Sequence, residues 1–293
     1  MDKGMSVIIG RIFAACLTLG LIALIAALPA CSDEPNQVET VVSEVNTLDR
    51  PEIVEVLFHP TKTGRVPAPE GAVDIDVTVA EDVSLGCRLF TSSPAAPTLI
   101  FFHGNGETVP DYDDIGPFYV REGMNFLVTD YRGYGWSTGR PLTSTLLADS
   151  RAVFLQLKDW LAANGYTGAL FVMGRSLGSA CAIEVAVEHS DEVTGLIIES
   201  GFAETLPLGR TLGIDLERLG ITEEMTFANA NKIERFTKPT YILHGQRDQL
   251  IPLWQAETLA ARSGAKNREF QVVPGADHNT LIAVAGRLYF QAI

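Results

Sequence analysis

The chain has 293 residues, of which 46% are hydrophobic, and its formal net charge is −14 at neutral pH. This length and apolar content suit one large α/β domain with an N-terminal extension, and they exclude an intrinsically disordered chain. The isoelectric point near 4.8 argues against a nucleic-acid partner, because such partners are bound by basic surfaces.

The N-terminus has the pattern of a secretory signal. Lys3 and Arg11 supply positive charge, and residues 12–28 are almost wholly apolar. Leu28-Pro29-Ala30 then ends the run with small residues immediately before Cys31. A charged start, an apolar stretch and a small-residue cleavage site define a signal peptide. The cysteine makes the segment resemble a bacterial lipoprotein lipobox, which implies that Cys31 carries a lipid.

These features predict the domain organisation. We expect a signal peptide over residues 1–30, a lipidated Cys31, a polar tether over residues 31–50 and a catalytic domain over residues 51–293. The lipid would hold the domain at a membrane on the extracytoplasmic side, at the periplasmic side or the cell surface. An uncleaved membrane anchor and ordinary cleaved secretion are the alternatives, and both also place the domain outside the cytoplasm.

Hydrophobic patterning predicts the strands. Residues 53–58, 73–79 and 84–90 alternate between apolar and polar, which indicates an antiparallel start to a sheet. Later runs are continuously apolar, which indicates parallel strands buried on both faces. These runs are residues 98–102, 125–129, 170–173, 196–198 and 240–243, with residues 268–273 as a final strand.

Helix-compatible stretches separate the later strands. They are roughly residues 114–122, 142–163, 177–189, 254–262 and 281–290. This alternation predicts an α/β fold whose ligands bind at the carboxyl ends of parallel strands. Residues 201–239 form a long interval between two core strands, which predicts a lid-like insertion, with an ordinary surface insertion as the alternative.

The pentapeptide Gly174-Arg175-Ser176-Leu177-Gly178 lies between an apolar run at residues 169–173 and a helical run at residues 179–187. Strand, tight turn and helix are the setting of a nucleophile elbow. The glycines remove Cβ atoms that would clash in so tight a turn. We therefore predict that Ser176 is a nucleophile.

A serine hydroxyl needs an oriented general base, and in this kind of site the partners follow in the chain order Ser, Asp or Glu, His. Asp248 follows an apolar strand, and His278 lies between the last strand and the last helix. We assign His278 as general base and then acid, and Asp248 as the group that fixes its tautomer.

Neighbouring residues offer alternative roles. Glu199 could serve as the acid of a variant triad, and Asp277 could replace Asp248 rather than hold its own loop. His244 is expected to brace the turn that carries Asp248, and His103 to be structural.

The reaction also requires backbone donors for an oxyanion. We predict that the amides of Leu177 and Asn105 form this hole, with Gly106 as the second choice after Asn105. The loop that follows residues 125–129 is interpreted as architecture, with Tyr131 or Trp136 as candidate substrate contacts.

Taken together, five motifs in chain order resemble the α/β-hydrolase superfamily. Within it they look like serine-aminopeptidase-like hydrolases and membrane-associated α/β-hydrolase-domain proteins, some of which are protein depalmitoylases or lysophospholipid hydrolases. The resemblance implies an α/β-hydrolase fold, with a mostly parallel eight-stranded sheet, helices on both faces and a short lid insertion. The motifs are Phe101-Phe-His-Gly-Asn-Gly106, Asp130-Tyr-Arg-Gly-Tyr-Gly135, Gly174-Arg-Ser-Leu-Gly178, Leu243-His-Gly-Gln-Arg-Asp248 and Gly275-Ala-Asp-His-Asn279.

From these residues we expect a serine hydrolase that cleaves carboxylic esters or thioesters, including lipid esters, and uses no metal or cofactor. The alternatives are a serine peptidase of the aminopeptidase type, an acyltransferase with the same triad, and a catalytically silent binding protein on the same scaffold. The scaffold alone does not identify the substrate.

Overall fold

The computed structural model describes residues 47–293, so the predicted signal peptide, Cys31 and most of the predicted tether lie outside the described residues. The described chain begins with a short 3₁₀ helix, Thr47–Asp49, in which Leu48 is buried. The Thr143 hydroxyl donates to the Leu48 carbonyl at 3.1 Å. The last residues assigned to the tether are therefore folded, and ordered packing begins before residue 51.

Within the described residues, eight strands form one sheet in the order β1-β2-β4-β3-β5-β6-β7-β8. The first two pairings, β1 with β2 and β2 with β4, are antiparallel, and all the others are parallel. This topology confirms the predicted fold class and its mostly parallel sheet. The strands are β1 Ala72–Ala80, β2 Val83–Phe90, β3 Thr98–Phe102, β4 Asn125–Thr129, β5 Leu170–Arg175, β6 Gly195–Glu199, β7 Thr240–Gly245 and β8 Arg268–Val273.

Helices cover both faces of the sheet. On β3, Ile100 and Phe102 belong to one buried apolar cluster, whereas Leu99 and Phe101 belong to a second. Because successive strand residues point to opposite faces, the two clusters lie on opposite sides of the sheet. This double burial explains why the central strands are continuously apolar.

The helices are α1 Pro51–Leu57, α2 Gly116–Arg121, α3 Thr143–Ala163, α4 Gly178–Glu188, α5 Thr205–Thr211, α6 Asn229–Ile233, α7 Leu253–Arg262, α8 Leu281–Ala285 and α9 Arg287–Ala292. Residues of α3 and α4 pack in the first cluster, and residues of α2, α8 and α9 pack in the second. None of the helices formed by residues 47–293 has both the length and the hydropathy that a membrane span requires.

Two predicted elements are wrong. Residues 53–58 were expected to form a strand, but helix α1 spans Pro51–Leu57. Its buried residues, Ile53 and Leu57, are four apart, which fits one face of a helix as well as alternate positions of a strand. Proline at the first helical position favours the helix. The predicted last helix is broken at Gly286, whose φ of +58° does not continue a helix.

The insertion, residues 201–239, is a packed element. It contains α5, α6 and two short 3₁₀ helices. Leu216, Ile221, Phe227 and Ile233 are all buried in the same apolar cluster as α3 and α4. The insertion is therefore anchored to the helical layer on one face of the sheet, and its role as a lid stays a prediction.

Candidate active site

Three loops bring the predicted catalytic side chains together at the carboxyl ends of β5, β7 and β8. His278 Nε2 lies 3.0 Å from Ser176 Oγ. His278 Nδ1 lies 2.7 Å from Asp248 Oδ2. The side chains thus form one continuous hydrogen-bonded chain from a hydroxyl to an imidazole to a carboxylate. All three residues are buried.

The elbow explains why glycines flank Ser176. Ser176 adopts a φ of +53°, a conformation that side chains rarely take outside special sites. A Cβ on Gly178 would lie 2.0 Å from the Phe102 carbonyl oxygen, and a Cβ on Gly174 would lie 2.2 Å from the Gly178 carbonyl oxygen. Both clashes involve backbone, which cannot swing away. The turn therefore requires glycine at both positions.

The β7 loop, residues 246–252, orients the carboxylate. Asp248 Oδ1 accepts the amides of Leu250 at 3.0 Å and Ile251 at 2.8 Å. This leaves Oδ2 for the imidazole of His278. With two backbone donors on one oxygen, the Asp248 side chain has a single orientation, and that orientation fixes the proton of His278 on Nδ1.

His244 braces the same loop from below. Its Nε2 lies 2.7 Å from the Ile251 carbonyl oxygen and 3.4 Å from Asp248 Oδ2. Burial lowers the pKa of His244, so the ring is neutral at pH 7 and Nε2–H donates to Ile251. His244 therefore contacts both Asp248 and Ile251 of this loop, so its role is structural.

The alternative acids are engaged elsewhere. Asp277 Oδ1 accepts the amide of Asn279 at 2.9 Å and the hydroxyl of Thr280 at 2.8 Å, so it holds its own loop. Glu199 accepts the Tyr289 hydroxyl at 2.6 Å. Burial raises the pKa of Glu199 above its ordinary value, although the charge of Arg175 and the hydrogen bond from Tyr289 act to lower it. Neither carboxylate replaces Asp248 beside the imidazole.

The β3 loop, residues 103–108, is held by the Asn105 side chain. Asn105 Oδ1 accepts the amide of His59 at 2.8 Å and the hydroxyl of Tyr134 at 2.6 Å. Asn105 Nδ2 donates to the Leu57 carbonyl at 3.0 Å. The side-chain oxygen and one side-chain N–H of Asn105 are therefore bonded to the scaffold, while its backbone amide makes no bond within the described residues.

The predicted oxyanion donors are unpaired. Within residues 47–293, the backbone amides of Asn105 and Leu177 donate to no acceptor, and the amide of Gly106 is likewise free. Leu177 directly precedes α4, where the helix N-terminus adds positive potential. Free, preorganised amides are what an oxyanion hole requires.

The aromatic loop after β4 supports the β3 loop. His103 is fully buried and its Nε2 lies 3.2 Å from Asp130 Oδ1. The Tyr131 hydroxyl donates to the His103 carbonyl at 2.6 Å. The Trp136 indole donates to Asp76 at 3.1 Å. These residues therefore have a structural role. The polar groups of the two candidate substrate contacts, Tyr131 and Trp136, are both bonded within the protein.

Sequence reasoning did not identify Arg175 and Glu107, which pair beside the elbow. The available signal was the charged Arg175, which directly precedes Ser176 between a buried strand and a buried helix. Among the described residues, no group of three or more histidine, cysteine, aspartate or glutamate side chains is arranged to hold a metal ion.

A family model and curated proteins are similar in sequence to this chain. The family model described as serine aminopeptidase S33 matches residues 93–209, which include the β3 loop and the elbow. Protein bem46 of Schizosaccharomyces pombe is 28% identical over 227 residues, which cover 75% of this chain and 74% of that protein.

Solved structures show the same fold. The esterase Pf2001 of Pyrococcus furiosus superposes with a TM-score of 0.65 at 20% identity, covering 80% of this chain and 95% of that one. Est1E of Butyrivibrio proteoclasticus, solved with ferulic acid bound, gives a TM-score of 0.61 at 18% identity, with 74% and 95% covered. The chain has the α/β-hydrolase fold, and part of its sequence is similar to the serine aminopeptidase S33 family. The match to this family of hydrolases supports a hydrolase.

Proposed function

We propose that the protein is a serine hydrolase that cleaves carboxylic esters or thioesters through an acyl-enzyme intermediate. The observation that carries the proposal is the continuous chain from Ser176 Oγ through His278 to Asp248, with distances of 3.0 Å and 2.7 Å. The backbone amides of Asn105, in the β3 loop, and Leu177, in the elbow, are free.

In the first half-reaction, Ser176 Oγ attacks the acyl carbonyl carbon while its proton passes to His278 Nε2. The carbonyl electron pair moves to oxygen, and the amides of Asn105 and Leu177 stabilise the oxyanion. Asp248 stabilises the imidazolium through Nδ1–H without taking the proton. When the oxyanion collapses, the bond to the leaving group breaks and His278 gives that group the proton.

In the second half-reaction, water takes the place of the departed alcohol or thiol. His278 removes a proton from the water as its oxygen attacks the acyl carbon, and a second tetrahedral oxyanion forms in the same hole. Its collapse releases the carboxylic acid, and the proton returns to Ser176 Oγ. Serine, not aspartate, stands at the elbow, so the covalent intermediate is an ester of the enzyme hydroxyl.

Esters and thioesters are proposed first because alcohols and thiols leave more readily than amines. Pf2001 is described as an esterase, and Est1E was solved with an aromatic carboxylic acid bound. The description of the matching family model favours a second candidate, a peptidase of the aminopeptidase type. The two candidates share every step above and differ in the leaving group.

A substrate panel tests the proposal. It contains p-nitrophenyl esters of increasing chain length, a lysophospholipid and an aminoacyl-arylamide, assayed with the wild-type protein and Ser176→Ala. We expect ester turnover that falls by roughly 10⁴-fold or more in the variant, because the nucleophile is lost. The melting temperature should stay nearly unchanged, since only one hydroxyl is removed.

A fluorophosphonate probe provides the control, since it should label the wild-type protein at Ser176 and leave the variant unlabelled. Wild-type labelling with cleavage of the arylamide alone would favour the peptidase. Full ester turnover by Ser176→Ala would contradict the assigned nucleophile.

A further inference from the structure

Arg175 lies directly before Ser176, and its side chain is only 12% exposed. One arm of its guanidinium reaches the β8 loop, residues 274–280. Nη2 donates to the backbone carbonyl of His278 at 2.9 Å and to Asn279 Oδ1 at 2.8 Å. The nucleophile's neighbour in sequence therefore holds the backbone of the general base directly.

The other arm reaches the β3 loop through Glu107. Arg175 Nη1 forms an ion pair with Glu107 Oε1. Glu107 Oε2 accepts the amide of Gly104 at 2.7 Å and the hydroxyl of Tyr112 at 2.6 Å. The packing is tight, since a Cβ on Gly104 would lie 2.5 Å from Arg175 Nη1. The loop that presents the Asn105 amide is thus tied to the same guanidinium.

The third contact of Arg175 is at the end of β6. Its Nε lies 3.3 Å from Glu199 Oε1. Burial opposes the charge of the guanidinium, but Glu199 and Glu107 together raise the pKa of Arg175 above its ordinary value. Burial also acts to raise the pKa of Glu107, yet Arg175 and Tyr112 hold it below the usual range. The guanidinium of Arg175 is therefore a permanent cation with a planar fork of donors.

Building on the proposed function, we infer that Arg175 is a positioning residue, which holds the general base and the oxyanion donors in register with the nucleophile. Its backbone precedes Ser176, one arm holds His278 and the other holds the β3 loop through Glu107. A displacement of about 1 Å between reacting groups can cost about 100-fold in rate. One rigid side chain that spans three loops removes that freedom.

A second buried ion pair provides a matched control. Arg132 Nε and Nη2 donate to Asp149 at 2.6 Å and 2.7 Å, and the two side chains are 17% and 11% exposed. This pair joins the loop after β4 to helix α3 and contacts none of the triad residues. Arg175→Lys and Arg132→Lys therefore make the same chemical change at sites of similar burial.

Lysine at position 175 keeps the charge but lacks the fork, so it cannot hold His278 and Glu107 together. We expect Arg175→Lys to lower kcat for p-nitrophenyl esters by about 100-fold with little change in KM. Arg132→Lys should stay within about threefold of wild type. Melting temperatures of both variants report folding separately from rate.

A spectroscopic readout does not depend on the substrate. The proton on His278 Nδ1, bonded to Asp248, should give a strongly downfield NMR signal that His278→Gln abolishes. We expect Arg175→Lys to shift or broaden this signal and Arg132→Lys to leave it unchanged. The wild-type protein could show this signal, and Arg175→Lys could lose it, while the wild-type protein turns over no ester. That outcome would retain the positioning role and contradict the proposed substrate.

Glu107→Gln is the second variant in case lysine at position 175 prevents folding. Glutamine retains an acceptor for the Gly104 amide but removes the ion pair, so we expect kcat to fall about tenfold, because the β3 loop loses part of its orientation. The inference is overturned if folded Arg175→Lys or Glu107→Gln keeps both the wild-type kcat and the wild-type His278 signal.

Discussion

The catalytic loops and the insertion are held by different kinds of interaction. At the loops, Asp248 takes two backbone amides on one oxygen, and Arg175 joins His278 to Glu107. The insertion, residues 201–239, combines hydrogen bonds with a large share of buried apolar side chains, such as Phe202 and Phe227, whose ring centroids are 5.7 Å apart. Directional contacts hold one geometry, whereas apolar packing tolerates exchange of side chains of similar volume.

This difference separates reaction from selectivity. The hydrogen bonds around Ser176 hold the His278 imidazole in one orientation, so the proposed reaction depends on a few residues. Within residues 47–293, no hydrogen bond joins the insertion to Ser176, Asp248 or His278. We therefore expect changes in the insertion to alter stability and the choice of acyl group, while changes at the catalytic loops alter the rate.

The largest effect should come from Asp248→Asn. The Leu250 and Ile251 amides would keep an oxygen on one side of the new amide, so its NH₂ group would face His278 Nδ1. A donor there forces the proton onto Nε2, which then cannot accept from Ser176. We expect kcat to fall by about 10⁴-fold with little loss of stability. Ester kinetics and thermal unfolding measure the two quantities.

Glu199→Gln is the control for this prediction, because Glu199 is a buried carboxylate that does not contact the imidazole. A greater loss of rate in Glu199→Gln than in Asp248→Asn would show that Glu199 is the acid of a variant triad.

An intermediate effect, on stability instead of rate, should come from Gln255→Leu. Gln255 joins α7 to the insertion: its Oε1 accepts the amides of Ala203 at 2.8 Å and Glu204 at 2.9 Å, and its Nε2 donates to the Glu204 carbonyl at 3.0 Å. Each buried group left unpaired costs about 1–3 kcal/mol. We expect denaturant unfolding to show a loss of at least about 2 kcal/mol.

The rate with a short-chain p-nitrophenyl ester should stay within a few fold in Gln255→Leu. Thr258→Val on the same helix is its control, since the hydroxyl of the half-buried Thr258 donates to the Trp254 carbonyl within α7 at 2.8 Å. A large fall in kcat for the shortest ester would mean that the insertion and the catalytic loops are not independent.

The smallest effect should come from Glu223→Gln. Its carboxylate accepts the amides of Thr205 at 2.7 Å and Leu206 at 2.9 Å, at the start of α5. Loss of the charge and of one acceptor should cost about 0.5–1 kcal/mol. The neighbouring Glu224→Gln, at an exposed residue, should lower the unfolding free energy by less than Glu223→Gln does. Equal costs in the two variants would show that Glu223 does not hold the helix.

Several parts of the fold followed from the sequence because the physical cause is local. Strands β3 and β4 are wholly buried, and their unbroken apolar runs predicted this. The elbow followed from its glycines, since a tight turn with a positive φ at Ser176 requires them. By contrast, residues 51–57 fit both periodicities, and burial against the domain selected the helix.

The sequence by itself determined the order of the strands along the chain, the turn that carries Ser176, and the residue types available as acid and base. Only the tertiary structure decided which of Asp248, Asp277 and Glu199 faces the imidazole, and that Arg175 holds the base. The guanidinium of Arg175 and the carbonyl of His278 are 103 residues apart in sequence. Neither residue's neighbours encode such a contact, because it exists only when strands from distant segments end at the same edge of one sheet.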